Sequence, residues 1–166
     1  GHFGGKNGVT VNGLGRIGLR DGDLLQYFGF DDDDYNFPFE LKREIVDFLY
    51  THLEQFGDDK TVISKALNYI VDKGGHLVLS FDKDVIVGAC VVNHTHMDSY
   101  IPENILVYLA TDINRRRMGI GTEIMKEVLE ACRGNILLRI DAHNPAIKLY
   151  EKFGFTNPYL EMVLKR

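Results

Sequence analysis

Tryptophan is missing from this chain, cysteine occurs twice and proline four times in 166 residues. Two cysteines cannot build the disulfide framework of a small secreted domain, and Cys90 and Cys132 lack the paired spacing of a redox or zinc motif. They read as small buried residues of a reducing compartment. Long apolar runs are absent too. The longest, Val85 to Val92, is far too short to span a bilayer, so no membrane association is expected. The N-terminus shows no charged segment followed by an apolar one, hence no secretory signal, and the cytoplasm is the expected location. Excess positive charge is also lacking. A formal net charge of −5 argues against a sequence-independent nucleic-acid binder, which needs surplus Lys and Arg to neutralise phosphates. It suits a cationic partner such as an amine.

What is present is the composition of one compact domain, 45% hydrophobic and 26% charged, with room for a real core. Gly1 to Gly22 is glycine-rich and poorly periodic, and Gly1-His2 without a Met reads as the remnant of a removed tag. This stretch is expected to be a poorly structured extension, leaving 23–166 as the domain. Leu24 to Phe30 reads as a first strand and Asp31 to Asp34 as a solvated loop. Leu41, Ile45, Phe48, Leu49, Leu53 and Phe56 fall at helical spacing after Pro38. A second helix is predicted over Thr61–Asp72, ended by Gly74 and Gly75.

The period then changes to that of strands. His76–Phe81 and Val85–Val92 form a hairpin around Asp82-Lys83-Asp84, and Ile105–Thr111 is a further strand. Gly119–Cys132 is an amphipathic helix with Ile120, Ile124, Met125, Val128 and Leu129 on one face. Ile136–Ile140 as strand, Pro145–Phe153 as helix and Tyr159–Leu164 as strand complete the prediction. The fold class is α/β (α+β): a mixed sheet with helices in one domain.

Two glycine-rich loops compete for a phosphate. Gly13-Leu14-Gly15-Arg16-Ile17-Gly18 matches G-x-G-x-x-G, and with Val11 and Asn12 resembles the dinucleotide fingerprint of glyceraldehyde-3-phosphate dehydrogenases. That fingerprint has meaning only in a strand–loop–helix unit, and Arg20 to Phe30 shows no helical face. The second loop fits better. Strand 105–111 feeds Asp112-Ile113-Asn114 and then Arg115-Arg116-Arg117-Met118-Gly119-Ile120-Gly121 at the start of a helix. The first amides of a helix lack intrahelical partners and sit at its positive dipole end. Glycines there let an anion approach without a Cβ in the way.

Arg116 to Gly121 fits the R/Q-x-x-G-x-G/A pyrophosphate loop of the GNAT superfamily of acyl-CoA-dependent N-acyltransferases, which the sequence resembles. Downstream, Asn144-Pro145-Ala146-Ile147-Lys148-Leu149-Tyr150-Glu151-Lys152-Phe153-Gly154-Phe155 is similar to the family's N-x-A-x-x-L-Y-E-K-x-G-F segment. The resemblance is best over 75–166. It implies a splayed, mostly antiparallel sheet with coenzyme A in an opening between strands 105–111 and 136–140. It further implies pantetheine pairing with backbone at Leu109, Ala110 and Thr111, and pyrophosphate on the amides of Arg116, Arg117, Met118, Gly119, Ile120, Gly121 and Thr122. Two positions depart from the family pattern. Arg117 stands where glycine is common, and Asn144 lies six residues before the tyrosine where relatives have seven, with His143 in the seventh place. Asn144 therefore reads equally as a coenzyme contact and as the N-cap before Pro145.

Acyl transfer to an amine needs a neutral nucleophile, a stabilised oxyanion and a proton for the departing thiolate. Tyr150 matches the family's general acid, and a strand amide near Leu109 or Ala110 is expected to meet the oxyanion. In some histone acetyltransferases of the superfamily a strand glutamate is the base, and its position falls on Ile105 here. Glu103, two residues earlier and on the same face if the strand extends, is the candidate base, with water-mediated deprotonation as the alternative. His94, His96 and Asp98 read as a solvated loop and not as a metal site; no metal is expected. The leading expectation is an acetyltransferase using acetyl-CoA as donor, with a small-molecule or peptide amine as acceptor, acting as a monomer or homodimer. The alternatives are a non-catalytic acyl-CoA-binding sensor or scaffold and a dinucleotide protein using Gly13 to Gly18.

Overall fold

The computed structural model describes residues 9–10, 16–17, 23–30 and 39–166. Most of the expected extension 1–22, the acidic run 31–34 and most of the Gly13–Gly18 fingerprint lie outside the described residues. The element order is β1 (Val9–Thr10), β2 (Arg16–Ile17), β3 (Asp23–Phe30), α1 (Phe39–His52), α2 (Lys60–Lys73), β4 (Gly75–Asp82), β5 (Val85–His94), β6 (Asn104–Thr111), α3 (Ile120–Ala131), β7 (Ile136–Leu138) and α4 (Ile147–Lys152). Short 3₁₀ turns at Glu54–Phe56 and Ile113–Arg115 precede α2 and α3. The mixed α/β class matches the expectation from the sequence.

β3 to β7 form one sheet in chain order, antiparallel except for the last pair. Alternation along β4 and β5 sends side chains to two cores. Leu77, Leu79, Ala89 and Val91 pack with Ile45, Leu49, Ile63 and Leu67 of α1 and α2. Val78, Cys90 and Val92 pack on the other face with Ile124, Met125 and Val128 of α3 and with Tyr150. Each such buried aliphatic side chain contributes about 1.5–3 kcal/mol relative to exposure. Leu129, expected on the same face of α3, is 40% exposed, because it falls at the margin of the stripe, one residue (about 100°) past Val128. α2 is capped as its sequence requires, the Asp59 carboxylate accepting from the Val62 amide at 3.0 Å.

Two features of the sheet place the site. Gly88 on β5 lies directly beneath α3: a Cβ there would fall 2.6 Å from Ile124 Cδ1 and 2.7 Å from Ile120 Cγ2. Glycine thus sets how closely the helix lies on the sheet. Between β5 and β6 the register slips, Val91 pairing with Tyr108 and Val92 with Leu106, so that Val107 is the extra residue of a β-bulge. Leu109 and Ala110, whose amides are expected to meet the oxyanion, are in regular register with Cys90 and Ala89.

Three boundaries differ from expectation. β1 and β2 pair antiparallel, Val9 with Ile17 and Thr10 with Arg16. Arg16 and Ile17, inside the Gly13–Gly18 fingerprint, are thus strand, the next described element is the strand β3, and among the described residues no helix follows the fingerprint before α1. β7 ends at Leu138, and Tyr159–Leu164 is not a strand. A strand needs a ladder, and β7 has only three residues to offer. The closing segment meets that region through an ion pair between Arg139 and Glu161 at 2.7 Å, leaving Leu160 and Met162 over 90% exposed.

Candidate active site

β6 runs with a partner on both sides only at its start. β7 pairs with Asn104, Ile105 and Leu106 and with nothing beyond. Among the described residues the edge of β6 away from β5 consequently has no ladder partner from Val107 to Thr111, which leaves its main-chain groups available to a ligand. The bulge at Val107 marks where this opening begins.

The opening leads to the loop before α3. Asp112 accepts from the Asn114 amide at 2.8 Å, making the turn that redirects the chain. Arg117 adopts φ +68° and Gly119 φ +80°. A left-handed residue other than glycine costs on the order of 1–2 kcal/mol. The family's glycine preference at position 117 thus has a backbone cause, and Arg117 takes the same conformation against strain. Gly119 is the N-cap of α3 and provides no side-chain cap. Its amide-rich turn is spacious, since a Cβ at Gly119 would meet nothing within 4 Å. At Gly121 a Cβ would lie 3.2 Å from Leu149 Cδ2 and 3.7 Å from Thr111 Cγ2, so this glycine lets α3 start close against α4 and the end of β6. The first helical bond is from the Glu123 amide to the Gly119 carbonyl at 3.0 Å. The amides of Ile120, Gly121 and Thr122 therefore point forward without intrahelical acceptors.

The three arginines of this loop contribute less free charge than their number suggests. Arg115 pairs with Asp82 and more distantly, at 3.7 Å, with Asp112. Arg116 pairs with Glu54 at 2.8 Å. Arg117 is exposed and enters no ion pair among the described residues.

Tyr150, on α4, is 7% exposed. Its ring stands edge-on to Phe155 with centroids 5.6 Å apart, and its carbonyl accepts from the amides of Phe153 and Phe155. Among the described residues no group hydrogen-bonds its hydroxyl. A buried phenol without a partner is uncommon and points to a missing one. Burial, and after it the neighbouring Cys90 thiol, push its pKa well above the ordinary phenol value. Cys90 is paired across the ladder with Leu109. Tyr150 packs in the same cluster as Cys90 and Leu109, so its ring lies by the stretch of β6 that has no outer neighbour among the described residues.

The remaining expected residues divide. Leu109, Ala110 and Thr111 line the free edge of β6 and 116–122 form the loop; of these, Leu109 and Ile120 meet Tyr150 in one core cluster, whereas Ala110 packs on the other face. Asn144 uses its Oδ1 to accept from the Ala146 amide at 2.9 Å, serving the turn into α4, and the His143 amide is held by Asp141 at 2.8 Å. Glu103 is not brought to the others. Its carboxylate accepts from the Asn135 amide at 3.1 Å and packs on Gly134. It borders a cavity of about 540 Å³ lined by His76, His94, His96, Met97, Asn104, Ala131 and Arg133. That cavity adjoins the C-terminal end of α3, whereas the loop adjoins its N-terminus, about 18 Å away along a 12-residue helix. Six strand residues, about 20 Å, separate Glu103 from Leu109. In the cavity the Nε2 atoms of His76 and His94 lie 3.1 Å apart, and no group of three described His, Cys, Asp or Glu residues is arranged to hold a metal ion.

Sequence reading missed the far wall. Tyr108, beside the bulge, donates to Asp58 Oδ2 at 2.6 Å, and the Ile113 amide donates to His52 Nδ1 at 3.1 Å. Burial, then the bond to Asp58, then the charges of Asp58 and Asp59 raise the Tyr108 pKa well above the usual value. Together with Arg116–Glu54, these contacts fasten the α1–α2 connection to β6 and the loop. The partners are 50 to 62 residues apart in sequence, and no local pattern announces them.

The family model of the acetyltransferase (GNAT) domain matches residues 72–157, which include every element just described except the α1–α2 connection. N-alpha-acetyltransferase 50 of Danio rerio is 34% identical over 94 residues, covering 52% of this chain and 54% of that protein. The chain thus spans about half the length of the curated relative it matches. Among solved structures, the ribosomal-protein-S18-alanine N-acetyltransferase of Escherichia coli superposes with TM-score 0.61 at 13% identity, over 82% of this chain and 80% of that one. An aminoglycoside acetyltransferase from an uncultured soil metagenomic sample, in complex with sisomicin, superposes with TM-score 0.56 at 15% identity, over 88% and 96%. At these identities the structures show a shared fold.

Proposed function

The chain belongs to the GNAT acetyltransferase domain family, and from that premise we propose that it transfers an acetyl group from acetyl-CoA directly to a primary amine. The observation that carries the reading is the buried Tyr150 hydroxyl, without a partner among the described residues, beside the free edge of β6. The donor fits the residues present. The open main-chain groups of Val107 to Thr111 suit an amide-bearing arm such as pantetheine. The uncapped amides of Ile120, Gly121 and Thr122 suit a pyrophosphate, with Arg117 as a cation to hand and Asn144 a candidate contact through its amide nitrogen.

In this reading the neutral amine attacks the thioester carbonyl, a C–N bond forms, the C–S bond breaks, and the amine loses a proton. Main-chain amides of β6 around the bulge stabilise the oxyanion as it develops. Tyr150 gives its proton to the departing sulfur. Its raised pKa keeps that proton in place across the neutral range, and the burial that weakens the phenol as an acid also makes a nearby thiolate a stronger base. The amine's proton passes to solvent water, because Glu103, about 20 Å from Leu109 along β6, is too far from the reaction centre to take it by contact. The acceptor class is an amine of a protein N-terminus or a small molecule, the kinds of substrate named for the relatives above.

The test is release of free thiol from acetyl-CoA over a panel of peptide, aminoglycoside and polyamine acceptors, with calorimetric titration of coenzyme A alongside. Coenzyme binding with amine-dependent thiol release supports the enzyme. Binding with no turnover on any amine supports the sensor or scaffold reading, and no binding removes both.

A further inference from the structure

The ion pair between Arg116 and Glu54 joins two segments with different duties: the loop assigned to the donor's pyrophosphate, and the α1–α2 connection on the other side of β6. We infer that Glu54 occupies Arg116 in place of that pyrophosphate, so that donor binding must displace a carboxylate of the chain itself. The inference rests on the proposed reading of residues 116–122 as the pyrophosphate loop.

Three observations support it. Arg116 Nη2 lies 2.8 Å from Glu54 Oε1, with the two side chains 47% and 43% exposed. The pair is therefore open to competition by a solvated anion and is weakened by screening. Glu54 holds φ +56°, a left-handed conformation unusual for a non-glycine residue. The carboxylates around it have other duties: Asp58 accepts from Tyr108, Asp59 caps α2, and Asp82 and Asp112 take Arg115. Among the described residues, of the arginines that have a carboxylate partner Arg116 alone belongs to the predicted pyrophosphate loop, and Glu54 is its one partner. A guanidinium favours phosphate oxygens in the same forked geometry as carboxylate, so the exchange needs only the side chains to move. Its consequence is a link between sites. With the pyrophosphate on Arg116, the α1–α2 connection keeps Tyr108–Asp58 and His52–Ile113 but loses its attachment to the loop.

The experiment is a double-mutant cycle read by calorimetric titration of acetyl-CoA, with acetyl-pantetheine, which has no pyrophosphate, as the comparison. Glu54→Gln should tighten acetyl-CoA binding by about two- to fivefold, the range an exposed ion pair can supply. It should leave acetyl-pantetheine unchanged. In an Arg116→Ala background the same Glu54→Gln change should have no effect on acetyl-CoA. A wild-type chain that binds acetyl-CoA as tightly as Glu54→Gln, or more tightly, would overturn the competition. So would an equal gain with acetyl-pantetheine or a gain that persists without Arg116. A wild-type chain with no affinity for acetyl-CoA would instead remove the pyrophosphate-loop reading, and this inference with it.

Discussion

Valine at Gly119 and valine at Gly154 form a matched pair of perturbations. Both glycines are left-handed, at φ +80° and +93°, and a Cβ at either would meet nothing within 4 Å. In the folded chain the cost of each substitution is therefore a backbone cost, about 1–2 kcal/mol for an L-residue in that region, with a branched side chain at the upper end. For a domain of this size about 1 kcal/mol shifts Tm by roughly 2–4 °C, so both variants should lose several degrees by similar amounts. Their ligand behaviour should separate them. Gly119 is the N-cap of α3, where the proposed pyrophosphate site places an anion against the open face of the turn. A side chain there takes the anion's space. Gly154 closes α4 and faces no such site. Gly119→Val should raise the acetyl-CoA dissociation constant at least tenfold, about 1.4 kcal/mol, while Gly154→Val stays within a few-fold of the parent. Thermal unfolding gives the first comparison and calorimetric titration the second. A folded Gly119→Val chain with unchanged affinity would refute the pyrophosphate assignment. A loss of equal size at Gly154 would show that the effect is strain and not occupancy.

Tyr150→Phe should lower the single-turnover transfer rate by about 10²–10⁴-fold with acetyl-CoA affinity nearly unchanged, since the ring packs in either case. Equal pre-steady-state rates would make the tyrosine structural. Gly88→Ala should destabilise by about 1–3 kcal/mol, because the new methyl pushes α3 off β5 at Ile120 and Ile124; an unshifted denaturation midpoint would contradict that packing. Burial raises the Cys132 thiol to about 12 and lifts Cys90 well above its ordinary value. Above about pH 8.5 the unfolded chain releases thiol protons that the folded chain keeps. Stability should then fall as pH rises, by up to about 1.4 kcal/mol per unit for each thiol until the folded pKa is reached, and neither cysteine should react with thiol reagents near pH 8 while folded. Deleting Gly1 to Gly22 should leave both melting temperature and acetyl-CoA binding as they are, and a large drop in either would make that segment part of the domain.

The hairpin of β4 and β5 and the helix α3 could be read directly from the sequence, because their apolar residues recur at strand and helix periods and their ends carry turn residues. The loop and Tyr150 could be read for a different reason: a helix N-terminus with two glycines and a motif on α4 are local in sequence. Tyr159–Leu164 misled because its composition suits a strand, yet strand formation depends on a partner edge, and three residues of β7 do not supply one. The bulge at Val107 was invisible for the same kind of reason, since it is a mismatch between two strands and belongs to neither. Glu103 was chosen by strand parity, which fixes the face but not the distance along the strand. Glu54, Tyr108 and Asp58 gave no signal, their partners lying 50 to 62 residues away in sequence.

The free edge of β6 has a bearing on how such a chain can change over time. Groups of the main chain are the same at every position, so a partner recognised through Val107 to Thr111 is blind to most substitutions there that preserve strand conformation. The proposed donor half of the site can then persist while the letters beneath it drift. The solved structures above, 13% and 15% identical yet similar in fold, illustrate how far such drift can run. The α1–α2 connection holds its place through side chains, and there single replacements count. Selection acting on the edge for geometry and on the connection for residue identity would let the second change without rebuilding the edge proposed to hold the donor.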